Sequence, residues 1–315
     1  MNSYPEVDVH KLRAILESTA IGPSGDDDDG AVAFLRTMTG ELPKRIYHYT
    51  SADGAFGIIE KCKLWASHSS FMNDTTEWEH GIGRCIARLR ERTSGEQVHF
   101  TNNLALVLGG MTPESPDAFD AYVACFCDSG DNLPQWRGYA VNGAGYALGF
   151  ALDRIALSTE CIPLRVIYSP ETRDAILDVA MEGYVGVLTR SLAKHPNHAE
   201  ETSRQVGLAY LTLMTQVLLC FKDEMFAHER EWRLVEFVHR RRSDKRARVQ
   251  FRAARGAILP YLELALGNSV SDIPLEEVRC GPTAAKDISR AGLEAVKAHW
   301  GMTFDITESL APVRF

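Results

Sequence analysis

Apolar and polar positions recur at two different periods along this chain, and the switches between the periods mark its elements. Over Val7–Ala20 the residues Val9, Leu12, Ile15 and Leu16 fall at helical spacing, which predicts an amphipathic helix. Gly22–Gly30 then reads as a loop carrying the acidic run Asp26–Asp29. Four adjacent aspartates with no ligand spacing after them describe a solvated segment rather than a cation site. Residues 1–43 are read as a helical N-terminal extension. From Arg45 the period shortens. Arg45–Thr50 predicts a strand, Ala52–Cys62 a helix capped by Ser51, and Leu64–Ser67 a short strand. Asn73–Thr93 predicts another helix, with Asp74 and Glu77 at capping-box spacing. Tyr122–Cys127, Gly145–Leu152 and Leu164–Tyr168 are strand candidates, the first two separated by a turn-rich stretch.

Glu171–Ala193 and Ala199–Glu224 return to the helical period and form a helical insertion over about residues 171–224. Strands resume at Trp232–Val238 and Val249–Phe251, and Val278–Cys280 stops at Gly281-Pro282. Ile288–Trp300 reads as a helix, Thr303–Ile306 as a strand, and Ala311–Phe315 as extended chain. Strands and helices follow one another without regular alternation. That order predicts an α+β fold with a split, mixed sheet over residues 44–315, interrupted by the helical insertion.

Composition narrows the class. With 315 residues, 45% hydrophobic and 24% charged, the chain has the make-up of a soluble globular protein. Its net charge of −8 argues against a general nucleic-acid coat protein. Leu208–Phe221 is too short for a bilayer and is broken by Thr212, Thr215 and Gln216, so no membrane partner is expected. Met1–Val9 lacks the apolar stretch of a secretory signal. The seven cysteines are scattered without a CxxC, and Cys125 and Cys127 read as small apolar residues on one face of a strand. A cytoplasmic protein with reduced thiols and no metal is expected.

The densest chemistry is His228-Glu229-Arg230-Glu231-Trp232-Arg233, which runs into the apolar segment Leu234–Val238. In extended chain Glu229 and Glu231 would face the same side, provided the strand already holds at Glu229. Carboxylates so placed can stabilise an oxocarbenium-like transition state at a sugar C1, as in glycosidases. Arg233 can hold a carboxylate or diphosphate bidentately. The structural alternative is a row of solvated ion pairs on an edge strand. Upstream, His48 shares a strand face with Ile46 and Thr50, while Tyr47 and Tyr49 share the other. His48 beside the Thr50 hydroxyl suits a sugar hydroxyl, and the structural alternative is a histidine satisfied in or near the core. Trp136-Arg137-Gly138-Tyr139, followed by Gly145-Tyr146, offers aromatic faces, a guanidinium and glycines for close approach to a flat ring. Arg240–Arg242 with Lys245, Arg246 and Arg248 reads first as a charged hairpin loop, and as a local basic run it is also a candidate contact for phosphate.

Six segments in order carry a resemblance: HYTS, LWAS…FMNDTTEWEHG, ACFCDSGDNLPQWRGYAVNGAGYALGF, HEREWRLV, EEVRCGP, and S-x-x-P-V-R over Ser309–Arg314. Over roughly residues 44–315 the chain resembles a widespread bacterial family of unknown function. That family's layout is similar to the ADP-ribosyltransferase superfamily. The resemblance implies a split sheet of ADP-ribosyltransferase-like type and NAD as the substrate. It also implies cleavage of the nicotinamide–ribose bond, with ADP-ribose passed to nucleic acid, protein or water, in the setting of a toxin or antiphage effector. On these positions His48 and Thr50 would hold the ribose and amide region, Glu231 would stabilise C1, and Glu229 would be the auxiliary carboxylate. Arg233 or Arg137 would meet the diphosphate, with Tyr49, Trp136 and Tyr146 as further contacts. Where the superfamily's second strand carries a tyrosine or Ser-Thr-Ser, this chain has Trp65, Ser67 and Phe71. Two other readings stand beside it: a non-catalytic nucleotide or nucleic-acid sensor, and a protein-interaction module working through its long helices.

Overall fold

The computed structural model describes residues 7–18, 28–72, 83, 86–87, 119–239, 246–254, 256–283 and 285–312. In chain order its first elements are α1 (Val9–Ser18), α2 (Asp28–Thr39), β1 (Arg45–Thr50), α3 (Ala52–Lys61), β2 (Lys63–His68) and β3 (Phe119–Cys127). Then come α4 (Leu133–Tyr139), β4 (Tyr146–Ala151), α5 (Leu152–Thr159), β5 (Ile162–Arg165), α6 (Pro170–Lys194) and α7 (Ala199–Leu218). The remainder is β6 (Glu231–His239), β7 (Gln250–Ala254), β8 (Ala257–Ala265), β9 (Leu275–Cys280), α8 (Lys286–Trp300) and β10 (Asp305–Glu308). The helix expected over Asn73–Thr93, apart from the helical residues 83 and 86–87, and most of the basic run lie outside the described residues. Among those residues no helix is long and apolar enough to cross a membrane.

The chain forms two compact units, Met1–Glu41 with Asn73–Ala118 and Arg165–Glu224, and Leu42–Met72 with Phe119–Leu164 and Met225–Phe315. In the first, α1 and α2 join the inserted helices α6 and α7, although the sequence set residues 1–43 apart as an extension. Ser169 caps α6 by accepting from the Thr172 amide at 3.1 Å. Its Gly183 admits α1, since an added Cβ would lie 2.6 Å from Leu16 Cδ1. Tyr184 meets Tyr210 edge to face across α6 and α7, ring centres 5.1 Å apart.

The second unit is an open mixed sheet in the order β10-β9-β4-β1-β3-β2-β8-β7, with β6 beside β3 and β5 beside β6. β9 and β10 run parallel, while the β1–β4, β4–β9, β3–β6 and β2–β8 ladders are antiparallel. β6 pairs with every residue of β3 from Phe119 to Cys127 and so occupies one whole edge of that strand. β1 and β2 must share the other edge. β1 meets it at Cys127, through Tyr47, and β2 meets it at Val123 and Tyr122. The sheet therefore forks along β3, opposite Ala124 to Phe126.

Alternation along the strands decides what is buried. Ile46, Leu64, Ala66, Ala124, Phe126, Leu148, Phe150, Trp232, Leu234, Leu262, Leu264 and Val278 project to one face and form the main core with α3 and α5. Ser51 starts α3 by accepting from the Gly54 amide at 3.1 Å, and left-handed Cys62 ends it. On the opposite face Tyr49, Cys127 and Ala147 pack with Trp136 and Ala140. β8 was not expected from the sequence, because Pro260 interrupts its apolar pattern.

Candidate functional site

Register settles which side chains can meet, because directly paired residues share a sheet face. Tyr47 pairs with Cys127, and Cys127 with Glu231. These three share a face, joined at period two by Tyr49, Cys125 and Arg233. His48 projects to the other face, with Thr50 and its partner Tyr146. There its ring lies edge-on to Phe126 with centres 5.6 Å apart, and Phe126 pairs with the buried Trp232. The expectation that His48 and Glu231 line one cleft is corrected by this geometry: they stand on opposite faces of the same sheet.

Each of the two has a defined role in the fold. His48 Nδ1–H donates to the Cys125 carbonyl at 3.0 Å, in the stretch of β3 between its β1 and β2 pairings. Donation to a carbonyl fixes the proton on Nδ1 and leaves Nε2 as the acceptor. Burial lowers the His48 pKa against the opposing effect of that bond, so the ring is held neutral. Glu231 is 4% exposed and receives Arg233 Nε at 2.8 Å and Nη2 at 3.3 Å. Arg233 thus binds the carboxylate of its own strand.

The two segments richest in chemistry do meet. α4 places Trp136 at full burial, its ring 4.7 Å from Tyr49, and leaves Arg137 and Tyr139 exposed in the last turn. Asn132 holds the N-cap position, yet its amide reaches the His228 carbonyl at 2.8 Å and makes no cap bond. Gln135 Nε2 donates to the Glu229 carbonyl at 3.2 Å, and Tyr139 OH donates to Glu229 Oε1 at 3.4 Å. Arg230 takes a left-handed backbone, φ 49°, and pairs with Asp128 at 2.6 Å. That turn breaks the strand parity between Glu229 and Glu231. Glu229 sits in a 3-10 turn ahead of β6 and stays partly exposed beside Tyr139.

Sequence reasoning missed the polar residues supporting this face. Glu277 on β9 accepts from Tyr47 OH at 2.8 Å, Arg45 Nη1 at 2.6 Å, Arg279 Nη2 at 2.8 Å, and Thr307. Burial pushes its pKa up, but these donors outweigh it and bring it down to about 2. The Tyr47 ring reaches Glu277 by crossing Gly149, where an added Cβ would lie 2.8 Å from the ring. Asp131 accepts from Trp136 Nε1 at 2.8 Å, the Leu310 amide at 2.8 Å and Ser309 Oγ, with Arg279 at 3.8 Å. Burial opposes its ionisation, and the bonds from Ser309, Trp136 and Leu310 overcome this to lower its pKa. Arg45, Tyr47 and Tyr49 at alternate positions of β1, with Glu277 and Arg279 at alternate positions of β9, were the available signal, but the sequence does not show that β4 with its small Ala147 and Gly149 lies between them.

The loop after α4 adds backbone strain. Val141, Asn142 and Gly143 take φ of 49°, 52° and 89°, and the loop packs on Gly281–Thr283 through Gly281 N to Gly145 O at 2.9 Å. An added Cβ on Gly145 would lie 2.1 Å from the Thr50 carbonyl oxygen, so glycine is required there.

No curated protein and no solved structure matches the chain. One stretch of it does match a known family. Opening at Gln135 on α4 and closing within β6, residues 135–234 match the family model described as protein of unknown function (DUF2971).

Proposed function

We propose that the sheet-bearing unit binds NAD or a related nucleotide where α4 meets the turn before β6. The observation that carries this reading is the exposed pair Arg137 and Tyr139 on one helical turn, with the Tyr139 hydroxyl on Glu229. An exposed aromatic ring can stack a base, worth about 1–3 kcal/mol. A guanidinium beside it suits a diphosphate. The forked sheet, with His48 at the fork, supports an ADP-ribosyltransferase-like relationship at the level of architecture. The separation of His48 from Glu231, and the clamp of Arg233 on Glu231, favour binding over the glycosyl-transfer chemistry that those two residues would share.

A second reading rests on Glu229. It is the more exposed of the two motif carboxylates and is held by Tyr139, so NAD cleavage in this protein would run through Glu229 rather than Glu231.

The test is calorimetric titration of the intact chain with NAD, ADP-ribose and ADP, with released nicotinamide measured in parallel. Binding without release, weakened about tenfold in Arg137→Ala or Tyr139→Ala, is the expected result. Nicotinamide release that disappears in Glu229→Gln would replace it with the second reading. Failure of all three ligands to bind would overturn both.

A further inference from the structure

The helix that presents Arg137 and Tyr139 is poorly equipped to stand alone. α4 spans seven residues and includes Gly138, and its N-cap residue makes no side-chain cap. A helix this short is unstable without outside contacts. Asn132 would normally supply the cap, but its amide is turned to the His228 carbonyl. The outside contacts include the burial of Trp136, the bonds of Gln135 and Tyr139 to Glu229, and the Asp131 carboxylate.

Asp131 faces two ways. One way it receives Trp136 Nε1 from the middle of α4. The other way it receives Ser309 Oγ and the Leu310 amide from the segment after β10. That segment is itself anchored, with Ser309 N on the Cys280 carbonyl at 2.9 Å and Ala311 N on Ser309 Oγ at 3.1 Å. Ala311 also packs against the cluster of Tyr49, Cys127 and Trp136. Arg279, already bound to Glu277, supplies the counter-charge at 3.8 Å. Every contact here lies within the sheet-bearing unit.

We propose that Asp131 is a positioning residue that ties α4 to the segment Ser309–Ala311, and that this tie sets the affinity of the nucleotide surface α4 carries. Asp131 touches no ligand in this scheme; it acts through Trp136. The affinity half of the proposal rests on the nucleotide reading above, while the tie itself does not.

The experiment uses the full chain and two variants that cut opposite ends of the tie. Ser309→Ala removes the hydroxyl donor and Trp136→Phe removes the indole donor while keeping a ring in the cluster. Hydrogen exchange of the Gln135–Tyr139 amides is followed beside thermal unfolding and NAD titration. The expected result is exchange about tenfold faster across α4 in both variants, the thermal midpoint moving by only a few degrees. NAD affinity should fall by a similar factor. Unchanged α4 exchange in both variants would overturn the tie. Faster exchange with unaltered NAD affinity would overturn the positioning role. Faster exchange in a chain whose parent binds no nucleotide would uphold the tie and overturn the nucleotide reading instead.

Discussion

His48 donates to the Cys125 carbonyl at 3.0 Å, filling with a side chain the stretch of β3 where β1 has left and β2 has not yet joined. Replacing His48 by Ala removes that donor from the Cys125 carbonyl and leaves space beside Phe126, a loss of roughly 2–4 kcal/mol. Nucleotide affinity should stay within about twofold, because His48 projects away from the face that carries Tyr49 and Trp136. Denaturant midpoints and NAD titrations check this. A tenfold affinity loss at unchanged stability would return His48 to the binding site.

The same ring gives a pH dependence. Its pKa is depressed in the folded protein, so its contribution to stability is present above the unfolded value of about 6.5. It is lost as pH falls from there through the lower folded value. His48→Gln keeps a donor for Cys125 and cannot titrate. Its stability should therefore decline less than the parent's as pH falls below about 6.5, as urea titrations at each pH would reveal.

Glu277 governs a lower window. Its folded pKa of about 2 lies beneath the ordinary glutamate value, so its stabilisation is present above about pH 4.3 and is lost as pH falls toward 2. The amount is on the order of 2–3 kcal/mol. Acid unfolding of Glu277→Gln should begin from a less stable protein and lack this limb of the pH profile. A parallel profile would show that the carboxylate is not the titrating group.

Glu231 and Glu229 should separate cleanly. Glu231→Ala breaks a buried ion pair with Arg233 and should cost about 3–5 kcal/mol, while Glu229→Ala, at a partly exposed turn, should cost under about 1 kcal/mol. Chemical denaturation of both variants decides it, and equal costs would contradict the burial described for Glu231.

Val141 carries a β-branched side chain at φ 49°, a conformation costly for such a residue. Val141→Gly should raise stability by about 0.5–1 kcal/mol, the relief of strain being partly offset by the entropy of an added glycine. An unchanged or lowered melting temperature would argue that the exposed Val141 is at ease there.

Much of this architecture is legible in the sequence where a signal is local. Ser51 before an apolar helix, alternation over Arg45–Thr50, and the long helical period around Tyr184 lie where read, while the helix around Tyr210 ends at Leu218, short of the Glu224 expected. Relations between strands are another matter. Nothing local says whether Tyr47 or His48 will oppose Cys127, and a shift of one residue exchanges the two faces. The Glu229–Glu231 pair failed for a local reason that was also hidden, since the i, i+2 rule needs continuous strand and Arg230 is left-handed. Asp131 read only as part of a turn, because its partners Trp136 and Ser309 belong to segments that pattern alone does not bring together.

The bond from Gln135 to the Glu229 carbonyl spans 94 positions of sequence, and the inserted helices are contained in that span. Topologically it is a clasp on a long loop. Closing such a loop grows costlier only slowly with its length, by about 0.6 kcal/mol for each doubling. Relatives could thus shorten, lengthen or exchange the segment between Pro170 and Leu218 while the clasped ends keep their geometry, leaving one sheet free to carry many different helical attachments.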